Sequence, residues 1–157
     1  MKEDLLTRLE RENLTIASFN KRILAYFIDN LVLSLIVFVI FYDKLLNAKD
    51  LFDTAQILGD FYLGFLLLHI TYQTIFTYLY GASLGKMVCK IIILDEDLLD
   101  KPNLNQSCIR SIVRQISDMA FMLGFAWALS NDLRKTWEDY LARTIVVNVA
   151  YNFIFKR

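Results

Sequence analysis

Two long apolar runs dominate the chain. Residues 23–42 contain a single charge, Asp29, and residues 61–80 contain no Asp, Glu, Lys or Arg. A helix rising about 1.5 Å per residue needs about 20 residues to cross a hydrocarbon core about 30 Å thick. The pattern therefore predicts spanning helices over residues 22–42 and 60–80. Arg22 and Asp29 lie seven residues apart at the start of the first run. Seven steps bring a helix back to nearly the same azimuth, about 10 Å further along its axis. Both charges thus share a face but are too far apart for an i,i+4 pair. Each needs a partner on another element, because an unpaired charge at that depth costs several kcal/mol. In the second run His69, Gln73 and Thr77 repeat at i, i+4, i+8, a polar stripe that should face the bundle rather than lipid.

The flanking segments are less apolar. Residues 1–17 carry Leu5, Leu6, Leu9 and Leu14 among charges, which predicts an amphipathic helix on the membrane surface or on a neighbouring element, ahead of a membrane domain over 18–157. The first run is not a secretory signal: it is long, and Tyr42-Asp43-Lys44 offers no small-residue cleavage site. Ser18 or Asn20 is the expected cap of the first span. Residues 43–60, with Asp43, Asp50, Asp53 and Asp60, are expected to form a polar connection. The stretch 106–131 contains Asp118 and suits either a third span or a helical hairpin that bends near Gly124 and dips into the membrane. Met87–Leu94 and Arg143–Val147 are expected to be short cytoplasmic β-strands. The predicted class is an all-α membrane protein with two full transmembrane helices, the shorter hairpin or third span, an amphipathic N-terminal helix and these strands.

Charge adds orientation. The 157 residues carry 17 basic and 17 acidic side chains, so no global field points to nucleic acid. Five cations (Lys2, Arg8, Arg11, Lys21, Arg22) precede the first run and two follow it. Five more (Lys86, Lys90, Lys101, Arg110, Arg114) follow the second run, and another five (Arg134, Lys135, Arg143, Lys156, Arg157) close the chain. Positive-inside logic places the amino terminus in the cytoplasm, and the hairpin keeps every basic cluster there. Cys89 and Cys108 fit neither a disulfide framework nor a C-x-x-C motif. There is no Ser/His/Asp order, metal-ligand spacing or cofactor fingerprint, so neither an enzyme nor a cofactor is expected. Gly81–Lys86 falls short of a phosphate loop: three residues separate its glycines and Met87 follows the lysine. A glycine-loosened helix end with Lys86 reaching lipid phosphates is expected instead. Asp95-Glu96-Asp97 suggests a solvated turn, and Trp137 and Tyr140 suggest interfacial anchors.

Four motifs then occur in order: Arg22-x-x-Ala-x-x-x-Asp29, Gly81-x-Ser83-x-Gly85-Lys86, Arg110-x-x-x-Arg114-x-x-x-Asp118, and Trp137-Glu-Asp139-Tyr-Leu-Ala-Arg-Thr144. Together they resemble the RDD family of small bacterial integral membrane proteins over nearly the whole chain after residue 16. The family is named for one arginine and two aspartates. Arg22 and Asp29 match the first two, and both Asp118 and Asp139 stand as candidates for the third. Arg143 departs from the pattern, since the family more often has glycine there. The resemblance implies a multi-pass protein of the bacterial inner membrane whose function is largely unassigned, some similar proteins having been proposed as cation/proton antiporters. In that reading Asp29 and Asp118 carry the ion or proton, Arg22 and Arg114 are counter-ions, and His69 with Gln73 forms a polar relay; Lys86, Arg110 and Asp139 are secondary candidates. Arg110, Arg114 and Asp118 share a helical face, so Asp118 should pair with Arg114 or Arg22, leaving Asp29 a choice of cation. The alternative is a non-transporting membrane scaffold or accessory subunit in which the pairs only fix helix packing. Expected partners are the bilayer with its anionic headgroups and either further copies of the chain or a membrane partner protein.

Overall fold

A computed structural model describes residues 2–48, 50–120, 127–131 and 133–148. Its largest elements are α2 (Phe19–Leu46) and α3 (Leu51–Tyr80), which follow the short helix α1 (Lys2–Arg11) and strand β1 (Thr15–Ile16). Phe41 packs edge-to-face on Phe61, and the Tyr72 hydroxyl reaches Asp29, so the two long helices run antiparallel. The Ser18 side chain caps α2 by accepting from the Lys21 N–H, and Asp50 caps α3 by accepting from the Asp53 N–H at 2.8 Å. The polar connection expected over 43–60 therefore contracts to residues 47–50. Asp43 and Lys44 contain nothing that breaks a helix, and Asp50 is the residue that starts the next one.

Arg22, Ala25, Asp29, Leu33 and Val37 form the buried stripe of α2. Its other faces, and most of α3, expose Phe27, Leu31, Leu35, Val39, Leu63 and Leu67. An apolar surface of that extent suits lipid. Among the described residues α2 and α3 are the two helices long and apolar enough to cross a membrane.

Gly81 ends α3 in the left-handed region at φ 67, after which come α4 (Leu84–Val88), β2 (Ile91–Asp95) and α5 (Leu104–Met119). A 3-10 turn (Trp127–Ser130), α6 (Trp137–Leu141) and β3 (Thr144–Asn148) complete the described chain. The strand expected from Met87 begins at Ile91 instead, because Ser83 caps a helical turn that takes in Met87 and Val88 before Lys90 (φ 56) reverses the chain. The three strands pair antiparallel in the order β1-β3-β2, with Ile91 opposite Asn148 and Asp95 opposite Thr144. The stretch expected over 106–131 is helical from Leu104 to Met119, and the bend foreseen near Gly124 lies outside the described residues. Helix α5 is amphipathic with its polar face inward: Ser107, Arg110, Ser111, Arg114 and Ser117 are buried, whereas Ile109, Ile112 and Ile116 are exposed.

Leu5 and Leu9 of α1 pack on the sheet and its neighbours, against Ala82, Ile92, Leu94, Leu133, Ile145 and Val147. Arg8 donates to the Asp97 carbonyl at 2.6 Å. The acidic turn is therefore more than solvated surface. Asp95 accepts from the Asp97 and Leu98 N–H groups and from Gln106, and Glu96 pairs with Lys135 at 2.6 Å. Burial alone would raise the Asp95 carboxyl, but its hydrogen bonds from Leu98, Gln106 and Asp97 hold it below its usual range. Arg143 turns the chain into β3 at φ 52, a conformation that costs an L-residue about 1–2 kcal/mol and glycine almost nothing. Its ion pair with Asp97 is 3.8 Å long and largely exposed, so little is lost by removing it. Arg143→Gly should accordingly raise stability by up to about 1 kcal/mol once glycine's extra chain entropy is set against the relieved strain. Thermal unfolding in detergent checks this, and a lower melting temperature would contradict it.

Candidate functional site: a buried cluster of charges and hydrogen bonds

Two arginines from different helices converge on one carboxylate. Arg22 Nη1 of α2 lies 2.7 Å from Asp139 Oδ2, and Arg110 Nη1 of α5 lies 2.6 Å from Asp139 Oδ1. Arg110 also donates to the Thr144 hydroxyl at the start of β3, and the Thr136 N–H donates to Asp139 at 3.1 Å. Asp139 is completely buried in α6. Burial alone would raise its pKa, but Arg110 and then Arg22 outweigh it and hold the carboxyl well below the usual range. Asp139 and its two arginines thus tie the first long helix, α5, α6 and the sheet together. Of the two candidates for the third signature residue, Asp139 is the one joined to Arg22. The pairing of Arg22 with Asp118 expected from helical spacing does not occur, because α6 places Asp139 between the two guanidinium groups.

Asp29 is also completely buried, and its partners are neutral. Its carboxylate accepts from Ser83 Oγ at 2.6 Å, Tyr72 Oη at 2.7 Å, the Gly85 N–H at 2.8 Å and Gln73 Nε2 at 3.4 Å. The Tyr72 oxygen itself accepts from the Leu84 N–H at 2.7 Å. Asp29 was expected to have a choice of cation, but neutral donors reach it instead, among them the first turn of α4. Gly85 makes the approach feasible: a Cβ there would lie 2.2 Å from the Ala25 carbonyl oxygen and 3.0 Å from the Asp29 carboxyl carbon.

Lys86 follows Gly85 and is carried inward with it. It was expected at lipid phosphates, yet only 6% of it is exposed. Burial, then the nearby Arg114 and Arg110, lower its pKa to about 7. Arg114 stacks on the Tyr26 ring at 4.8 Å, and among the described residues its Nε and Nη2 have no hydrogen-bond partner. Its expected ion pair with Asp118 is not formed: Asp118 is half-buried and hydrogen-bonded to Tyr26. The relay expected from His69 to Gln73 divides, since His69 Nδ1 faces Gln115 Nε2 at 2.5 Å while Gln73 turns to Asp29. Among the described residues no three His, Cys, Asp or Glu side chains converge as metal ligands.

Tyr72, Ser83, Gly85, Glu138 and Thr144 are members of the cluster that residue-type reasoning passed over. Ser83 and Gly85 had a signal in the Gly-x-Ser-x-Gly-Lys spacing, which was read as a helix end and a family motif but not as a partner of Asp29. Glu138 adjoins the cluster and is 95% enclosed, being 5% exposed. The sequence profile of the RDD family matches residues 16–143, a span that contains every one of these groups except Thr144. No curated protein and no solved structure matches the chain.

Proposed function

The chain belongs to the RDD family, and from that premise we propose that it is a multi-pass inner-membrane scaffold, not an enzyme, which holds a small folded head at the cytoplasmic face for a partner protein or further copies of itself. The head comprises α1, the sheet and α6, and the positive-inside distribution of Lys and Arg supports its cytoplasmic placement. The observation that carries this reading is the saturation of Asp29 by hydrogen-bond donors. A carboxylate that takes up Na⁺ needs oxygen ligands around it, and an N–H aimed at the same oxygens repels a cation. The Arg22–Asp139–Arg110 triad likewise commits two guanidinium groups to one carboxylate, as a device that fixes packing would.

A second reading is cation/proton exchange at Asp29. It is favoured by the Tyr72 and Ser83 hydroxyls on that carboxylate, which could hand protons on, and by the buried Lys86 beside it. Proteoliposomes separate the two. Under the scaffold reading the wild type moves no cation in response to a pH gradient, and Asp29→Asn loses several degrees of melting temperature, since its amide must face donors at about 1–3 kcal/mol each. Cation flux in the wild type that disappears in a normally folded Asp29→Asn protein would replace the scaffold with the exchanger.

A further inference from the structure

Helix α5 runs back along α3, into the layer where α2 and α3 expose apolar side chains. Just ahead of α5 the Lys101 ammonium donates to the Leu79 carbonyl at 3.4 Å. Further along, Thr74 donates to Ser111 Oγ at 2.9 Å, and Gln115 faces His69 at 2.5 Å. We propose that α5 is a re-entrant half-span, which dips into one leaflet, returns to the side it came from and lays its outer face among the acyl chains of that leaflet. Such a half-span serves a scaffold and an exchanger alike.

Three observations support it. The first is length. With 16 residues α5 is about 24 Å long, short of a hydrocarbon core about 30 Å thick. Arg110 stands level with Arg22, since both hold Asp139. From Arg110 to Met119 the helix therefore descends only about 13 Å below the layer in which α2 enters. The second is the return. Asp95 and Glu96 are neighbours in the head; Asp95 accepts from Gln106 at the start of α5, and Glu96 pairs at 2.6 Å with Lys135 beyond its end. Leu133 shares a core with Leu5, Leu9 and Ile145 in the same head. Both ends of the excursion are thus fastened to one folded unit, which a single crossing does not allow. The third is the surface. Beyond Asn105 the exposed residues of α5 are Ile109, Ile112, Ile116 and Met119, all apolar. They continue the apolar surface that Leu24 and Phe27 of α2 and Ile75 of α3 expose in the same layer. The serines and arginines of α5 turn inward onto the polar stripe of α3, as a segment that enters hydrocarbon without crossing it requires.

Membrane vesicles containing the full chain test both parts. In a Cys89→Ala, Cys108→Ser background, an impermeant maleimide should reach Asn105→Cys and Arg134→Cys in vesicles of one orientation. It should reach Leu51→Cys, at the far end of α3, in the opposite orientation. Labelling of positions 105 and 134 from opposite sides would make the segment a third span and overturn the proposal. The wild type gives a second reading if these variants do not fold. Met119 is 68% exposed and Leu98 of the head 77%. In liposomes hydroxyl radicals should oxidise Leu98 as readily as in the unfolded chain, whereas Met119 should lose most of its reactivity. A phosphatidylcholine bearing a diazirine on its acyl chain should label Ile112, Ile116 and Met119 instead. Oxidation of Met119 at the unfolded rate would place this face in water, and a protected Met119 without lipid label would assign the face to a second copy of the chain. Either result overturns the acyl-chain contact.

Discussion

Asp139→Ala should cost the folded protein about 3–5 kcal/mol, the range for removing one partner of a buried ion pair. Asp139 carries the counter-charge for both Arg22 and Arg110 at 2.7 and 2.6 Å, so its removal strands two guanidinium groups that are each about 5% exposed. Coulomb repulsion between them then acts with the lost hydrogen bonds to separate α2 from α5. Adding Arg22→Met to the same protein should recover part of the loss, because one stranded charge is replaced by a side chain of similar volume. A merely space-filling Asp139 would give no such recovery. The pH dependence tests the same point. The native pKa of Asp139 is depressed, so its contribution is present above the unfolded carboxyl value near 3.9 and is lost as pH falls through the lower native value. Below about pH 4 the wild type should lose stability that Asp139→Ala never had. Thermal unfolding followed by circular dichroism measures all three proteins, and a single-variant loss under about 1 kcal/mol would mean that the triad is slack.

How far the sequence anticipates this site depends on the length of the element that supplies each residue. The face shared by Arg22 and Asp29 was legible because α2 is 28 residues long and its period is set by many apolar positions. Their partners were not, since Gly85 and Asp139 sit in α4 and α6, helices of five residues each with no periodicity to read. Spacing along α5 suggested an Arg114–Asp118 pair, but i,i+4 proximity is worth only about 0.2–0.5 kcal/mol and yields to tertiary partners. Lys86 was placed at the lipid surface by the same blindness: its burial follows from α4 crossing α2, and nothing in its neighbours' composition records that crossing. The order of the four motifs carried information that single residues lacked, and residues 16–143 do match the RDD family. Within the Gly-x-Ser-x-Gly-Lys segment the glycine spacing was informative too, although what the second glycine admits is a neighbouring helix rather than a phosphate.

That second glycine is the basis of the other large effect. Gly85→Ala should destabilise the protein by about 3 kcal/mol, combining the upper range of overpacking with a weakened hydrogen bond to a charged acceptor. The added Cβ would stand 2.2 Å from the Ala25 carbonyl oxygen, and because the obstacle is backbone, no change of rotamer clears it. Helix α4 must move away from α2, stretching the 2.8 Å bond from the Gly85 N–H to Asp29 and carrying Ser83 with it. Gly59 is the control. It lies within α3 with nothing inside 4 Å of its would-be Cβ, so Gly59→Ala should raise stability by about 0.5–1 kcal/mol through helix propensity alone. Opposite signs for one methyl group at two glycines would locate the constraint at the α2–α4 contact rather than in the backbone freedom of glycine. If Gly85→Ala instead melts with the wild type, α4 is not held against α2 closely enough to position Asp29, and the lock assigned to that carboxylate fails with it.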